Sequence, residues 1–408
     1  MFKLNQHNTT VRTEVLAGIT TFASMIYILV VNPAILSAAG MPKDAVFTAT
    51  VLASALMTFS MGLFTNLPIA LAPGMGLNAF FTYTMCLASN IPWQASLGMV
   101  FYSGVIFFLM TLTGLRKKIL KLIPESISHG LTVGIGLFIT LIGLKNAGII
   151  VDHPATLISL GNIKDPQIII ILIGILLSAI LYLKKISASL LLSMLFITIG
   201  FIFLGKVSMP ESIIALPPSL TPTFLALDLA YFWNNLSVCI PLTLSLFFID
   251  LFDNMGTLIA VCTRAKLQDE KGDIKNLDRA LKADAFAAMS GAVLGTSSVT
   301  SYIESAAGVE QGGRTGLVSV VTGTCFLLAL FIAPLLLAIP LSATTPALFM
   351  VGFFMMSEVK KLNFDLVATS LPAFITMVMI PLTFSIAEGL ACGLVAYFIL
   401  TLAARCSK

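Results

Sequence analysis

The chain has 408 residues, 58% of them hydrophobic and only 10% charged, with a mean hydropathy of +1.00. A soluble domain carries about 25% charged residues, so this composition cannot keep a soluble surface wet and reads as an all-α polytopic membrane protein. At roughly 20 apolar residues per span, the length allows about 12–14 spans with short loops and no large soluble domain.

The formal net charge of +4 is topological and does not indicate a nucleic-acid partner. The polar N-terminus, Met1 to Glu14, carries no cleavable signal pattern, so the first span is expected to be retained. The six cysteines are scattered without CxxC spacing and read as small apolar filler, with no disulfide, metal or cofactor role.

In chain order, the first span is expected over about Val15–Leu36 and the second over Phe47–Phe64. The third element, Asn66–Met85, is interrupted. Pro68, Pro73, Gly74 and Gly76 break any continuous helix there. A fourth span, Ser96–Leu115, ends in Arg116-Lys117-Lys118, and a Gly-rich fifth covers Ile127–Leu144. The apolar run Ile168–Leu204 is too long for one span and is split by Lys184-Lys185. A Pro-rich linker, Gly205–Tyr231, follows at the midpoint.

The second half opens with a long span, Trp233–Val261, then a charged loop, Arg264–Lys282, and Ala283–Leu294. Gly295–Gly316 is too polar and Gly-rich for a plain membrane helix; a short β-prone run, Ser298–Tyr302, leads into a small-residue helix start. Leu317–Leu337, the short Thr344–Met356, Leu366–Leu382 and Ile386–Ala403 complete the chain.

These are fourteen elements, seven on each side of the linker, with the interrupted one third in each half. That is the pattern of a transporter with an inverted repeat, whose site lies where discontinuous elements meet at the midplane. The repeats are expected over 1–205 and 233–408, with 206–232 as linker. With the N-terminus inside, Lys43, Lys145, Lys164 and Lys206 fall outside and every other Lys and Arg falls inside. This asymmetry supports fourteen elements with both termini cytoplasmic.

Intramembrane acids carry the chemistry. Each costs about 2.5–3.5 kcal/mol at a helix centre on insertion scales, and is a functional-site hypothesis by default. Asp250 and Asp253 fall in the eighth element, Glu304 in the tenth and Glu388 near the start of the fourteenth. Asp250, Asp253 and Thr257 share one helical face, with Gly256 beside them to let a partner approach. A planar ligand rich in N–H donors suits acceptors at Asp253 and Glu304. Asn78, after Pro73-Gly74-Met75-Gly76, adds an amide at a short helix start whose N–H groups and dipole point into the midplane. Set against these are structural readings: helix caps, packing amides, and for Glu310 and Glu388 a position near water.

Phe80, Phe81, Tyr83 and Tyr302 are candidate stacking partners, although in a chain with 29 Phe packing is the simpler reading for any one. His129 and His153 are expected at the interfaces, away from the acids. Gly312-Gly313-Arg314-Thr315-Gly316 lacks the preceding strand and Lys-Ser/Thr ending of a phosphate loop and reads as a tight cytoplasmic turn. Asp250-Leu-Phe-Asp253 lacks the further acids or His that a metal site would want.

Five stretches carry a family resemblance: Thr21–Pro33, Ala72–Phe81 (Ala-Pro-Gly-Met-Gly-Leu-Asn-Ala-Phe-Phe), Gly134–Gly148, Asp250–Val261 (Asp-Leu-Phe-Asp-Asn-Met-Gly-Thr-Leu-Ile-Ala-Val) and Gly295–Gly316. Together they span essentially the whole chain. It resembles the nucleobase:cation symporter-2 family, in its adenine/guanine/hypoxanthine permease branch. The resemblance implies fourteen transmembrane elements as two inverted repeats of seven. Elements 1–4 and 8–11 (about 14–120 and 233–337) would form a core domain, and elements 5–7 and 12–14 (about 125–205 and 344–404) a gate domain. It also implies short β-strands in the interrupted elements 3 and 10, and proton-coupled uptake of purine bases across the cytoplasmic (inner) membrane. The family's substrate residues map onto Asp253, Glu304, Gly76 and Asn78; Asn254, Ser298 and Ser301 stand where the branch usually has Thr and bear on purine preference.

The expected mechanism is a secondary active transporter. A purine binds between elements three, eight and ten, on Asp253, Glu304, Asn78, Gly76, Ser301, Tyr302 and Thr257. A proton is carried by Glu304, Asp253 or Asp250, because burial favours a neutral carboxyl. A homodimer is a candidate assembly. Rival readings are a carrier of another nucleobase (uracil, xanthine), an anion carrier on the same architecture, which would rely on helix starts and a cation, and a membrane transferase, which would need a metal.

Overall fold

The computed structural model describes residues 2–113, 124–210, 212–268, 274 and 276–406. Arg116, Lys117, Lys118, Lys121, Lys271, Lys275 and Lys408, and the side chains of Arg405 and Cys406, lie outside the described residues.

The expected first span is two helices, α1 (Val11–Met25) and α2 (Ile28–Ser37). Between them Leu29 and Val30 donate to Ile26 and Tyr27, carbonyls three residues back, so the backbone tightens locally towards 3₁₀ pairing. Thr10 caps α1 by accepting from the Thr13 N–H at 3.2 Å. α3 (Lys43–Thr65) ends at Asn66 in the left-handed region, and then the chain extends. Strand β1 is Leu71–Pro73, followed by the short helix α4 (Met75–Ala79), which widens into a π-helix over Phe80–Ala88. Nine residues of π-helix is unusual, because such turns are mostly single bulges near functional sites.

α5 (Trp93–Thr113) and α6 (Glu125–Asn146) lie close to their expected positions. The segment after α6 forms a hairpin of β2 (Ile150–His153) and β3 (Leu157–Leu160). The long apolar run divides at Lys184-Lys185 into α7 (Pro166–Leu183) and α8 (Ser189–Phe203). Thr48 Oγ1 donates to Pro218 O, Ala215 N–H to Phe331 O and Leu225 N–H to Val293 O, so the Pro-rich linker is tied to both halves.

A short helix, α9 (Ala230–Asn234), precedes α10 (Leu236–Arg264). α11 (Leu277–Leu294) begins inside the stretch expected to be a charged loop, because Ala280 and Leu281 are buried and hold that first turn against the protein. β4 (Val299–Ser301) and α12 (Ser305–Glu310) follow. The expected span Leu317–Leu337 is broken into α13 (Gly316–Ala329), a 3₁₀ turn and α14 (Ala333–Leu337). Pro334 has no N–H for the Leu330 carbonyl and cannot continue the ladder. α15 (Thr345–Met355), α16 (Val367–Thr383) and α17 (Ile386–Cys406) complete the chain.

Among the described residues, eight helical stretches are long and apolar enough to cross a bilayer, and α8 and α16 are shorter apolar helices. The protein is a mostly helical multi-pass membrane protein. Helices α1, α3, α5, α11 and α13 pack on one another; α6, α15, α16 and α17 form a second packed set, joined by α7 and α8 through α15. Close approach in the first set depends on small residues. A Cβ at Gly316 would collide with the carbonyl of Gly62, so α13 and α3 meet backbone to backbone there.

Candidate substrate site at the crossed strands

Two short strands from opposite halves of the chain meet in antiparallel register, Leu71 with Ser301, Ala72 with Thr300 and Pro73 with Val299. Each turns at once into a short helix. Pairing satisfies backbone groups that an extended segment inside the protein would otherwise leave bare. The pair is fixed at both ends: Gly74 N–H donates to Ser298 O and Tyr302 N–H to Ala70 O, each at 3.0 Å.

Strand alternation gives β4 two faces. On the side continued by Ser298, the residue just before the strand, Ser298 Oγ donates to Asp250 Oδ2 of α10 at 3.1 Å. On the other, Ser301 N–H and Oγ donate to Asp284 Oδ1 of α11 at 3.0 and 2.7 Å. Asp250 and Asp284 are both buried, and they brace the strand from both sides. Ser301, expected to touch substrate, spends its side chain on Asp284. Tyr302, likewise, donates its phenol to the Pro73 carbonyl and so ties the end of β4 to β1.

Glu304 stands at the cap of α12. Its Oε1 accepts from the Tyr27 phenol at 2.7 Å, and its backbone carbonyl from Ser24 Oγ at 3.3 Å. Asp253 of α10 lies within electrostatic reach of Glu304, and both acids act on Tyr302. Asp253 and Glu304 are half-buried, whereas Asn78 is completely buried. Ser297 Oγ donates to Asn78 Oδ1, and Asn78 Nδ2 makes no hydrogen bond among the described residues. Asn78 therefore stitches the crossing and keeps one spare donor.

Gly76 lets α4 approach α6: a Cβ there would sit 2.9 Å from Ile135 Cγ2. Thr257 is buried one turn beyond Asp253 on the same face of α10. Gly256 differs from expectation. A Cβ there would meet nothing within 4 Å, so among the described residues it borders open space and no helix packs on it. Phe80 and Phe81 are core residues, and Tyr83 sits edge-on to Phe138 of α6, ring centroids 6.3 Å apart.

The other flagged acids lie elsewhere. Glu310 forms an exposed ion pair with Arg264 at 3.2 Å. Glu388 is exposed in the first turn of α17. His129 pairs with Glu358 at 2.8 Å, on elements that do not carry the acid pair. The Gly-Gly-Arg-Thr-Gly segment is a turn stabilised by an internal anion. Glu14 of α1, wholly buried, accepts from Arg314 N–H (2.8 Å), Thr315 N–H (3.1 Å) and Thr315 Oγ1 (2.6 Å) at the start of α13. Arg314 Nη1 meanwhile donates to the Val309 and Gly313 carbonyls.

Four of these residues had no role in the sequence-based expectation: Tyr27, Ser24, Glu14 and Asp284. Asp284 was discoverable: it already stood in the expected element Ala283–Leu294, but at its first turn, and the helix beginning at Leu277 places it well inside, where the reasoning that flags intramembrane acids applies. Tyr27 carries no sequence signal, being one aromatic within an apolar run.

The sequence profile Xan_ur_permease (Permease family) matches residues 12–392. The adenine permease AdeP of Escherichia coli is 44% identical over 98% of this chain and 89% of its own. The guanine/hypoxanthine permease PbuG of Bacillus subtilis is 42% identical over 97% of this chain and 92% of its own. Among solved structures, the transmembrane domain of the cyanobacterial bicarbonate transporter BicA superposes with a TM-score of 0.68 at 16% identity, covering 94% of this chain and 97% of that one. At that identity the likeness concerns the fold alone.

Proposed function

Because this chain belongs to the nucleobase/ascorbate transporter family, we propose that it carries purine nucleobases across the cytoplasmic membrane by proton-coupled alternating access. It is a carrier and not an enzyme. The observation that carries the reading is the pair of half-buried carboxylates, Asp253 and Glu304, at the crossing of β1 and β4.

A purine offers ring and exocyclic N–H donors beside bare ring nitrogens. Ionised carboxylates are pure acceptors, so Asp253 and Glu304 match the donor edge. The spare Asn78 Nδ2 supplies a donor for a ring nitrogen. Gly76 and Thr257 line the same crossing, and the open space at Gly256 gives an approach. A carboxylate that accepts an N–H can also take a proton, which offers a route to coupling through Glu304, Asp253 or, behind the strand, Asp250. An anionic substrate fits poorly, because two carboxylates would repel it.

The moving parts follow the packing. We read the set built on α1, α3, α5, α11 and α13, with the crossed strands and α10, as a core domain. The set built on α6, α15, α16 and α17, with α7 and α8, is the gate. In support of two inverted repeats of seven elements, β1 and β4 fall third in each half and pair antiparallel. Both termini are assigned to the cytoplasm from the distribution of basic residues, and a homodimer remains a candidate assembly.

The test is uptake of labelled adenine, guanine and hypoxanthine into cells lacking their own purine carriers, with and without a protonophore. Glu304→Gln should abolish uptake while the protein stays folded in the membrane. Undiminished, protonophore-sensitive uptake by that variant would sink the site assignment. Uptake insensitive to the protonophore would remove the coupling.

A further inference from the structure

The role of Glu304 depends on where its carboxylate points, and the frame carrying it is slight. Glu304 lies between a strand of three residues and a helix of six. The backbone there is held by Tyr302 N–H on the Ala70 carbonyl and by Ala70 N–H on Ser305 Oγ, each at 3.0 Å. Neither contact fixes the side chain. Tyr27 does, with its phenol 2.7 Å from Oε1.

We propose that Tyr27 is a positioning residue for nucleobase transport, holding the Glu304 carboxylate in the one direction from which it accepts substrate. The proposal rests on the reading of Glu304 as a substrate acceptor.

Tyr27 is suited to this by its own anchorage. It lies in the turn between α1 and α2 and is 1% exposed. One turn before it, Ser24 Oγ donates to the Glu304 backbone carbonyl, so the first element grips both backbone and side chain of the same residue. Just beyond it, Asn32 Nδ2 donates to Thr50 Oγ1 at 2.6 Å and Thr296 Oγ1 at 2.9 Å. The turn is thereby pinned to α3 and to the approach to β4. The phenol has a fixed origin, and its hydrogen bond limits rotation of the carboxyl group about its last bond.

The chemistry also favours a phenol. Lysine or arginine would position the carboxylate equally well, but would pair with its charge. A hydroxyl donor orients the group and leaves its charge free to accept an N–H or a proton. Among the described residues no Lys or Arg forms an ion pair with Glu304.

The experiment measures KM and Vmax for adenine, guanine and hypoxanthine uptake, normalised to protein in the membrane, in the full-length chain. Four proteins are compared: wild type, Tyr27→Phe, Glu304→Asp and the double variant. Glu304→Asp keeps the charge but withdraws the carboxylate by one methylene from the phenol. Tyr27→Phe should raise KM about tenfold for all three purines, the scale of one hydrogen bond to a charged group, with Vmax within about twofold of wild type. The double variant should be no worse than Glu304→Asp alone, because both changes break the same bond. A wild-type KM in Tyr27→Phe, or effects of the two changes that multiply, would overturn the proposal. So would a Tyr27→Phe protein that fails to reach the membrane, which would make the residue structural. If Glu304→Asp and Glu304→Gln both leave adenine KM unchanged, the reading of Glu304 itself falls.

Discussion

Glu14 offers a direct test of how the two halves are joined. Its carboxylate is completely buried and accepts from two backbone N–H groups and one hydroxyl at the start of α13. Glu14→Ala would leave Arg314 N–H, Thr315 N–H and the Thr315 hydroxyl without their acceptor, and would remove a negative charge from a helix N-terminus. A hydrogen bond to a charged group is worth about 1.5–3 kcal/mol, but three on one carboxylate are not additive. Breaking a buried charged network by removing one side costs about 3–5 kcal/mol. Scaled by the entropy of unfolding to a chain of this length, 1 kcal/mol lowers Tm by about 1–2 °C. Glu14→Ala should therefore lower Tm by about 3–10 °C. Glu14→Gln keeps one acceptor oxygen but turns an NH₂ towards donors, and should lose more than half as much. The assay is thermal unfolding of the purified protein in detergent, with hydrogen exchange read at Arg314 and Thr315. A Tm within about 1 °C of wild type, together with unchanged exchange at those two amides, would refute the argument.

Three further outcomes follow from the same geometry. Gly316→Ala should sharply reduce the folded protein recovered from membranes, since its Cβ meets the Gly62 carbonyl and neither backbone can give way; a normal yield would mean that α13 and α3 are less closely packed. Asp284→Asn should retain most uptake, because an amide oxygen can still accept from Ser301. Asp284→Ala should lose it, and equal uptake by the two would remove Asp284 from the support of β4. Ser301→Ala should lower Tm while leaving the KM for adenine close to wild type, since its hydroxyl is engaged by Asp284; a KM raised tenfold with unchanged Tm would return Ser301 to the substrate.

Much of the architecture was legible because its causes are local. Apolar runs of span length specify helices, and Lys184-Lys185 divides a run that is too long. Pro68, Pro73 and Gly74 remove the N–H donors and side-chain contacts that a continuous helix needs, so an interruption in the third element follows from those residues alone. Asp253 and Glu304 stood out because charge inside a membrane is costly. Where local chemistry competes with packing, expectation and structure diverged. α11 starts inside a charged stretch because its apolar positions find a buried surface, and the turn between α1 and α2 interrupts a run whose composition permits one helix.

The interrupted stretches could be found by sequence, but their partners could not. Tyr27 and Glu304 are 277 residues apart, and Glu14 and Thr315 are 301 apart. No spacing rule links residues at such separations. They meet because helix packing brings α1 against α12 and α13, and because β1 and β4 satisfy each other's backbone. Sequence alone fixed which residues are too polar for a membrane to tolerate unpaired. Only the tertiary structure decided which of them brace the crossing and which are left half-buried at its edge. Asp250, Asp284 and Ser301 found partners within the protein. Asp253 and Glu304 remain at the edge, the latter with Tyr27 already on one oxygen.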